Sequence, residues 1–291
     1  MYEIAQNTGC IEHRLKALLK AGINLGFVQK NEHDLYYLTD SGIELARHVG
    51  YFTWSVGGYG EFFRELGMLA TNDTPWSHLR DGGFVALGSD QASSAFMRDI
   101  LFDVLDNLSF SRVADFGCGN AGRLIEFCER YPHISAVGID INRDAINLAR
   151  ENIANHNMTN KIEIYCENIL NFINNSNVRD RLKDVEVVTS FMMLHDLFNI
   201  DNLKETLFDR LRAAFPAVKY FVIADTVRMP KQENLMDLPI FNIGFELLHG
   251  YMNVKIHNKK SYDKAFAAAG LVIEKCLPFG TPNTYLYLLR A

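Results

Sequence analysis

A glycine-rich segment follows an apolar stretch near the middle of the 291-residue chain. It reads VADFGCGNAG over residues 113–122 and has the spacing G-x-G-x-x-G. Gly117 and Gly119 allow the backbone to turn tightly and to approach a ligand, and Gly122 allows a following helix to pack closely on the strand. The segment therefore predicts a binding site for a cofactor that carries a nucleoside. The spacing alone does not distinguish one such cofactor from another.

Two acidic residues narrow the choice of cofactor. Asp115 stands two residues before the first glycine, where its carboxylate faces the bound cofactor. It would repel a pyrophosphate, as in NAD, but attract the ammonium of the methionine moiety of S-adenosylmethionine. Asp140 ends the next predicted strand, where a carboxylate accepts hydrogen bonds from the ribose hydroxyls of either cofactor. The sequence favours S-adenosylmethionine, and a NAD-dependent oxidoreductase is the alternative.

The adenine end of the cofactor is expected beside a third predicted strand. That strand ends at Glu167 and Asn168, where a carboxylate or a side-chain carbonyl can receive the adenine amino group. The candidate cofactor-binding residues are expected at the strand ends and in the glycine loop: Asp115, Gly117, Cys118, Gly119, Asp140, Ile141, Glu167, Asn168 and Ser190.

A histidine and an aspartate follow the fourth predicted strand, in the segment TSFMMLHDLFN over residues 189–199. Open parallel sheets place their chemistry at this end of the strands. A neutral His195 is suited to act as a general base. Alternatively, His195, Asp196 and the more distant His249 form a two-histidine, one-carboxylate site for a metal ion. His249 as a packed helix residue and Asp196 as a helix cap remain the simpler interpretations.

The segments that precede the glycine loop predict two further regions. Residues 1–48 read as helix, helix, hairpin and helix, the order of a winged-helix module. Residues 49–110 are rich in aromatic residues, glycine and helical stretches, and they predict either a substrate lid or helical packing. The candidate substrate-binding residues offer apolar surface or an anion-binding guanidinium: Trp54, Tyr59, Arg80, Arg98 and, after the fifth strand, Arg228.

Residues 111–291 alternate apolar strands with helices, a pattern that predicts a parallel sheet covered on both faces. The last two strands are joined by the short turn FGTPN, so they must pair antiparallel. We therefore expect an α/β fold, a Rossmann-like seven-stranded sheet with a reversed terminal strand, preceded by a winged-helix and helical lid region.

Composition argues against nucleic acid and membranes as partners. The net charge is -6 and the sequence pI is about 5.9, and residues 1–50 hold five Lys and Arg against six Asp and Glu. Nucleic acid and anionic lipid require clustered positive charge, so a small-molecule substrate is expected instead. No apolar run is long enough for a membrane span. The cysteines show no C-x-x-C pair and are interpreted as free, mostly buried thiols of a cytoplasmic protein: Cys10, Cys118, Cys128, Cys166 and Cys276.

The glycine segment resembles motif I of class I S-adenosylmethionine-dependent methyltransferases. Asp140 resembles their ribose-binding acid, and the closing hairpin resembles their reversed seventh strand. With a winged helix in front, the chain is similar to the small-molecule O-methyltransferase superfamily, whose winged module serves dimerisation and substrate enclosure. The resemblance implies a homodimer. However, Met1 begins almost inside the winged helix, so the helices that usually precede it in this superfamily are not expected, and a monomer is the alternative.

The reaction centre resembles two groups within this superfamily. His195 and Asp196 occupy the place of the L-H-D-W segment of the O-methyltransferases, whose histidine removes a hydroxyl proton. With His249, they are also similar to the α-keto acid C-methyltransferases of the phenylpyruvate and 2-ketoarginine type, which bind iron or zinc. That second resemblance implies methyl transfer to the β-carbon of an α-keto acid. A DNA-binding regulator and a rearrangement in which the cofactor acts only as a fixed cation remain alternatives.

Overall fold

The computed structural model describes residues 2–175, 181–200, 203–230 and 240–291. The chain divides into two compact units. The first comprises Met1–Tyr59 and Asp81–Phe96, and the second comprises Gly60–Arg80 and Met97–Ala291. The sequence predicts boundaries at 48 and 110, with one lid region at 49–110, and those domain limits stay a prediction.

The first unit contains helices and one hairpin, in the predicted order helix, helix, hairpin, helix. Thr39 is the N-cap of the third helix, since its hydroxyl accepts a hydrogen bond from the Gly42 amide. The two strands of the hairpin pair antiparallel, with Val28 opposite Leu38. The elements of this unit are α1 (Tyr2–Thr8), α2 (Glu12–Asn24), β1 (Val28–Lys30), β2 (Tyr36–Leu38), α3 (Asp40–Arg47), α4 (Val49–Phe52), a π-helical turn (Thr53–Gly58) and, in its second segment, α7 (Gly82–Phe96).

Seven strands form the sheet of the second unit, in the order β5-β4-β3-β6-β7-β9-β8. The first five in this order run parallel, whereas β9 pairs antiparallel with both β7 and β8. The Rossmann-like sheet and its reversed terminal strand are therefore confirmed. The strands are β3 (Arg112–Phe116), β4 (Ser135–Asp140), β5 (Ile162–Cys166), β6 (Val187–Phe191), β7 (Tyr220–Thr226), β8 (Val272–Pro278) and β9 (Thr284–Arg290).

Hydrophobic clusters lie on both faces of the sheet, and helices of the second unit contribute to them. The other helices among the described residues are α5 (Tyr59–Arg64, which begins at the last residue of the first unit), α6 (Leu66–Leu69), α8 (Arg98–Leu105), α9 (Gly122–Arg130), α10 (Arg143–Asn155), α11 (Ile169–Asn174), α12 (Leu194–Leu197), α13 (Leu203–Ala214), α14 (Ile240–Tyr251) and α15 (Lys259–Ala268), with a short 3-10 turn (Ser77–Leu79). Asparagine side chains cap three of them by accepting backbone N–H hydrogen bonds: Asn142, Asn168 and Asn258.

The central strands are buried on both faces, as their nearly continuous apolar sequences predict. Side chains alternate between two hydrophobic clusters. Ala114 and Phe116 of β3 belong to one cluster, and Val113 of the same strand belongs to the other. Because parallel strands all end at the same edge, this alternation decides which polar residues at the strand ends share a face.

Two further expectations are answered by the structure. Only Cys118 and Cys128 are buried, whereas Cys10 and Cys166 are exposed and Cys276 is partly exposed. The expectation of mostly buried thiols was therefore wrong, because Cys10 falls in the exposed N-terminal helical region and Cys166 at the open end of β5. Among the described residues, no helix has the length and apolar character needed to cross a membrane.

We predict that Gly138→Ala destabilises the second unit. A Cβ on Gly138 would lie 2.6 Å from Ile164 Cδ1 and 2.8 Å from both Cys118 Sγ and Leu124 Cδ1. Such overpacking typically costs about 1–3 kcal/mol. Urea unfolding followed by circular dichroism measures the loss.

Gly60→Ala is the matched control. Gly60 lies in helix α5 and has no atom within 4 Å of a Cβ built on it. The control should leave stability unchanged or raise it by up to about 1 kcal/mol, because alanine favours helix. Equal midpoints for the two variants would contradict the prediction.

Candidate functional site

The loops after β3 and β4 form a cradle within the second unit. Gly117 has a φ of +73° and Gly119 a φ of +54°, the left-handed region that favours glycine. A Cβ on Gly119 would meet nothing within 4 Å, so the space beside the loop is open. Ala121 adopts a φ of +63° just before α9, a strained conformation for a residue with a Cβ. The predicted cofactor loop therefore exists as a tight turn that faces open space.

Asp115 is a fully buried carboxylate beside this loop. Its Oδ1 accepts a hydrogen bond of 2.6 Å from the Thr189 hydroxyl, whereas its Oδ2 has no hydrogen-bond partner. Arg123 Nη1 lies 3.6 Å from that second oxygen. Burial raises the pKa of Asp115 to about 6, although Arg123 and Thr189 act in the opposite direction. A buried carboxylate oxygen without a donor is suited to receive one from a ligand.

Asp140 lies at the end of β4 and holds the glycine loop. Its Oδ2 accepts a hydrogen bond of 2.9 Å from the Gly119 amide, and its Oδ1 accepts one of 2.8 Å from the Asn142 amide. An ionised carboxylate has about four acceptor sites, so each oxygen retains capacity for a hydroxyl. The structure thus joins Asp140 to the loop, and its role in ribose binding stays a prediction.

The remaining cofactor candidates differ in their surroundings. Asn168 uses its side-chain carbonyl to cap α11, which leaves Glu167 as the free acceptor of the pair for adenine. Ile141 is 69% exposed beside Asp140, a large apolar side chain that an adenine ring would cover. Ser190 Oγ is buried without a hydrogen-bond partner. Cys118 is buried, and burial raises the pKa of its thiol, so it contributes packing rather than reactivity.

His195 is buried on helix α12 and held by Asp225. Its Nδ1 lies 2.7 Å from Asp225 Oδ1, and its backbone amide donates a hydrogen bond of 2.8 Å to Oδ2. Burial lowers the pKa of His195, but the charge and the hydrogen bond of Asp225, with the charge of Asp196, together outweigh burial, so the pKa is raised. Since a carboxylate only accepts hydrogen bonds, the neutral form of the imidazole carries its proton on Nδ1 and the lone pair on Nε2.

Asp225 is itself fixed by two other groups. The Tyr262 hydroxyl donates to its Oδ2 at 2.9 Å, and the Thr226 amide donates to its Oδ1 at 2.9 Å. Both Asp225 and Tyr262 are fully buried. The imidazole of His195 is therefore oriented by a carboxylate that is itself held in place.

His249 lies beside His195, as the metal hypothesis requires of these two residues. The ring centroids are 4.9 Å apart with the rings nearly perpendicular, and Phe245 contacts both imidazoles. His249 Nδ1 lies 2.7 Å from the Phe245 carbonyl, so Nδ1 is the donor and Nε2 carries the lone pair. Burial, followed by the neighbouring His195, lowers the pKa of His249 to about 4. In their neutral forms, the two neighbouring buried rings therefore each carry a lone pair on Nε2.

The third predicted metal ligand is less well placed. Asp196 Oδ1 lies 3.8 Å from His195 Nε2, and its side chain is 56% exposed. Asp196 lies inside α12 rather than at its N-cap, so the alternative role as a cap is not seen. Among the described residues, no group of three or more His, Cys, Asp or Glu is arranged to hold a metal ion. The donor chemistry suits iron or zinc, but this arrangement is not that of a complete metal site.

The candidate substrate-binding residues have different surroundings in the structure. Arg80 is close enough for its charge to lower the pKa of His249. Arg98 pairs with Glu126 at 2.9 Å and lies over the Phe102 ring, and its substrate-binding role stays a prediction. Arg228 is exposed. Trp54 and Tyr59 are buried in contact with each other, and their role in substrate enclosure stays a prediction.

Three residues of the site did not emerge from the sequence as site residues. They are Asp225, Arg123 and Tyr262. Arg123 directly follows the last glycine of the loop, which is a usable signal. Asp225 is the penultimate residue of an apolar strand, as Asp115 is, and Asp140 is the last residue of β4, so position was again a signal. Tyr262 carries no comparable signal, because it is distant from Asp225 in the sequence and reaches it only by the tertiary packing of α15.

Comparisons with known proteins agree with this geometry. A methyltransferase domain family matches residues 109–270, more than half of the chain. The indolepyruvate C-methyltransferase of Streptomyces griseus is 28% identical over 278 residues, which span 95% of this chain and 80% of that protein. The predicted resemblance to small-molecule methyltransferases is therefore confirmed.

Solved structures share the fold at low sequence identity. An O-methyltransferase-like protein from Nostoc punctiforme has a TM-score of 0.65 and 15% identity, over 99% of this chain and 87% of that one. An O-methyltransferase from neocarzinostatin biosynthesis, solved with S-adenosylmethionine and a naphthoic acid, has a TM-score of 0.54 and 17% identity, over 100% of this chain and 88% of that one. The chain belongs to the methyltransferase domain family and is a methyltransferase.

Proposed function

We propose that this methyltransferase uses S-adenosylmethionine to methylate a small molecule. The observation that carries the proposal is the buried Asp115 oxygen without a donor, located beside an open glycine loop that Asp140 holds. The α-ammonium of the cofactor supplies the missing donor, and its ribose hydroxyls reach the remaining acceptor sites of Asp140. A solved structural neighbour contains S-adenosylmethionine, which supports the same choice.

We further propose that the acceptor is the β-carbon of an α-keto acid. Support comes from the relative named an indolepyruvate C-methyltransferase and from the buried, oriented His195. His195 Nε2 takes the proton from the carbon beside the keto group, and Asp225 stabilises the imidazolium that forms. The electron pair of the broken C–H bond then forms the new bond to the sulfonium methyl, and the S–CH₃ pair stays on sulfur. Arg80 offers a guanidinium for the acid's carboxylate.

Metal binding by His195, Asp196 and His249 is the finer part of this proposal. Bound there, iron or zinc would supply Lewis acidity toward a chelating keto acid. Because the three side chains are not arranged as a complete site, no step is derived through a metal. Metal-free O-methylation of a hydroxylated metabolite is the alternative, with His195 Nε2 removing the hydroxyl proton. Both reactions use the same Nε2 lone pair, so the choice between them depends on the substrate.

The acceptor is tested directly with purified protein, S-adenosylmethionine and two panels of substrates. One panel contains aryl and alkyl α-keto acids, and the other contains phenols and hydroxylated heterocycles. We expect keto acid turnover, with the new methyl on the carbon beside the carbonyl in the NMR spectrum of the product. Turnover of the hydroxyl panel alone would replace the proposal with its alternative.

His249→Ala separates the metal hypothesis from metal-free catalysis. If the triad holds a metal, the wild type contains stoichiometric iron or zinc by elemental analysis and the variant loses it. His156→Ala, which removes an exposed histidine at the end of α10, should change neither metal content nor rate. Wild-type protein that is active on keto acids without stoichiometric metal would leave His195 as the base and eliminate the metal.

Cofactor affinity should fall with acid. The pKa of Asp115 is about 6, so the side chain is mostly ionised at pH 7 and mostly neutral at pH 5. A neutral carboxyl cannot balance the ammonium, so the dissociation constant should rise by up to about tenfold per pH unit below 6. Calorimetry from pH 5 to pH 8 measures this, and proton release on binding should accompany it near pH 6.

The matched control is 5′-methylthioadenosine, which lacks the amino-acid portion. Its affinity should stay nearly constant over the same pH range, because it carries no ammonium for Asp115 to balance. Asp115→Asn should bind S-adenosylmethionine more weakly and without the pH dependence. An equal slope for the two ligands would assign the titration to another group.

Asp225→Asn should lower methyl transfer far more than it lowers stability. The amide offers His195 Nδ1 a weaker acceptor and no negative charge for the imidazolium, so kcat should fall about 10²- to 10⁴-fold. Tyr262→Phe removes one hydrogen bond from the same carboxylate and leaves its charge, so kcat should fall less. Single-turnover kinetics at saturating substrate measure both variants. Equal losses in the two would show that the charge of Asp225 is not what matters.

A further inference from the structure

A buried amide with an unpaired oxygen lies on α14, the helix that also carries His249. Asn242 is fully buried, and its Nδ2 donates a hydrogen bond of 2.7 Å to the Pro282 carbonyl. Because a peptide carbonyl only accepts hydrogen bonds, this contact fixes the orientation of the amide. The other end of the amide, Oδ1, has no hydrogen-bond partner in the part of the chain that the structure describes. Asn242 therefore holds an acceptor in place without a donor for it.

Asn242 lies on the face of α14 that borders the reaction centre. Residues three, four and seven apart share one face of a helix, and this spacing joins Asn242, Phe245 and His249. The Phe245 ring contacts both imidazoles, and its centroid is 5.4 Å from that of His195. At the helical rise per residue, Asn242 is about 4.5 Å along the axis from Phe245. That distance is comparable with the size of one aromatic ring.

The hydroxyl groups on the neighbouring strands do not supply the missing donor. Thr226 Oγ1 and Thr284 Oγ1 lie 2.9 Å apart, and Thr281 Oγ1 lies 3.1 Å from that of Thr284. Most buried polar atoms in proteins are paired, because a buried acceptor without a donor is unfavourable. A ligand that brings an N–H or O–H group to Oδ1 removes this cost, whereas a ligand without one leaves it in place.

We propose that Asn242 Oδ1 accepts a hydrogen bond from a donor on the ring of the substrate and so selects which acids are methylated. The inference rests on the proposed α-keto acid acceptor and narrows it to aryl keto acids that carry a ring N–H or O–H. The reacting carbon lies at His195, the ring packs along Phe245, and the donor at its far side meets Asn242. The reaction chemistry described above makes no use of this residue.

The test uses two pairs of acids that differ in the ring donor. 4-Hydroxyphenylpyruvate and phenylpyruvate form one pair. Indole-3-pyruvate and benzothiophene-3-pyruvate form the other, in which sulfur replaces the N–H. For each acid, kcat/KM is measured with wild type, Asn242→Leu and Asn242→Asp. Comparing the ratio within a pair between wild type and variant cancels the intrinsic reactivity of the acids.

In at least one pair the wild type should prefer the acid with the donor by about 10- to 100-fold, because the other acid leaves the acceptor unpaired. Asn242→Leu should abolish most of this preference by lowering kcat/KM for the donor acid. Asn242→Asp should retain most of it, since a carboxylate still accepts a hydrogen bond although the contact with Pro282 is lost. The pair that shows the preference identifies the donor as N–H or O–H.

Glu246→Leu is the control on the same helix. Glu246 Oε1 accepts a hydrogen bond of 2.6 Å from the Met229 amide, so the change disturbs the anchoring of α14 and leaves Asn242 intact. It should leave the ratio within each pair unchanged, even where it lowers every rate.

Two results would overturn the inference while the keto acid proposal stands. One is a wild type that shows no preference in either pair. The other is an Asn242→Leu variant that slows both acids of a pair equally, which would show that Asn242 only holds the turn at Pro282. If none of the four acids is methylated, the proposed keto acid acceptor is wrong and the inference falls with it, so the two failures are distinguishable.

Discussion

The contact between His195 and Asp225 connects most of the reaction centre. The buried Asp225 carboxylate accepts four hydrogen bonds, two from His195, one from the Thr226 amide and one from Tyr262. Burying an ionised carboxylate is costly unless such donors replace the lost water. The Asp225 carboxylate therefore connects the end of β7 with α12 and α15. A change in any of the three moves the nitrogen that handles the proton.

A second buried carboxylate, Asp115, differs from Asp225 in its hydrogen bonding and in the face of the sheet on which it lies. In β3, Asp115 lies on the face opposite to that of Ala114 and Phe116. In β7, Asp225 lies on the face opposite to that of Val222 and Ala224. These neighbours belong to different hydrophobic clusters, so the two carboxylates lie on opposite faces of one sheet. Asp225 has its donors within the protein and serves the histidine. Asp115 retains an oxygen without a donor, and the burial that raises its pKa is relieved only by a cationic ligand.

What the sequence could predict depended on how local each feature is. The glycine loop, Asp115 and Asp140 were recognisable because a strand, a turn and a helix start specify them within a few residues. The reversed last strand followed from the length of one turn. Arg98 could not be placed, because its partner Glu126 comes from a helix beyond the next strand. The position of His249 beside His195 was proposed from a resemblance and required the packing of α14 to be seen.

The two imidazoles limit each other's charge, and this bears on which of them acts as the base. Their centroids are 4.9 Å apart in a buried environment, so a proton on one opposes a proton on the other. Asp225 favours the charged form of His195, whereas burial keeps His249 neutral. A proton taken from the substrate therefore stays on His195, because its carboxylate is already in contact. His249 keeps its lone pair through the same step and remains available as a ligand or an acceptor, which is why its replacement tests the metal hypothesis without removing the base.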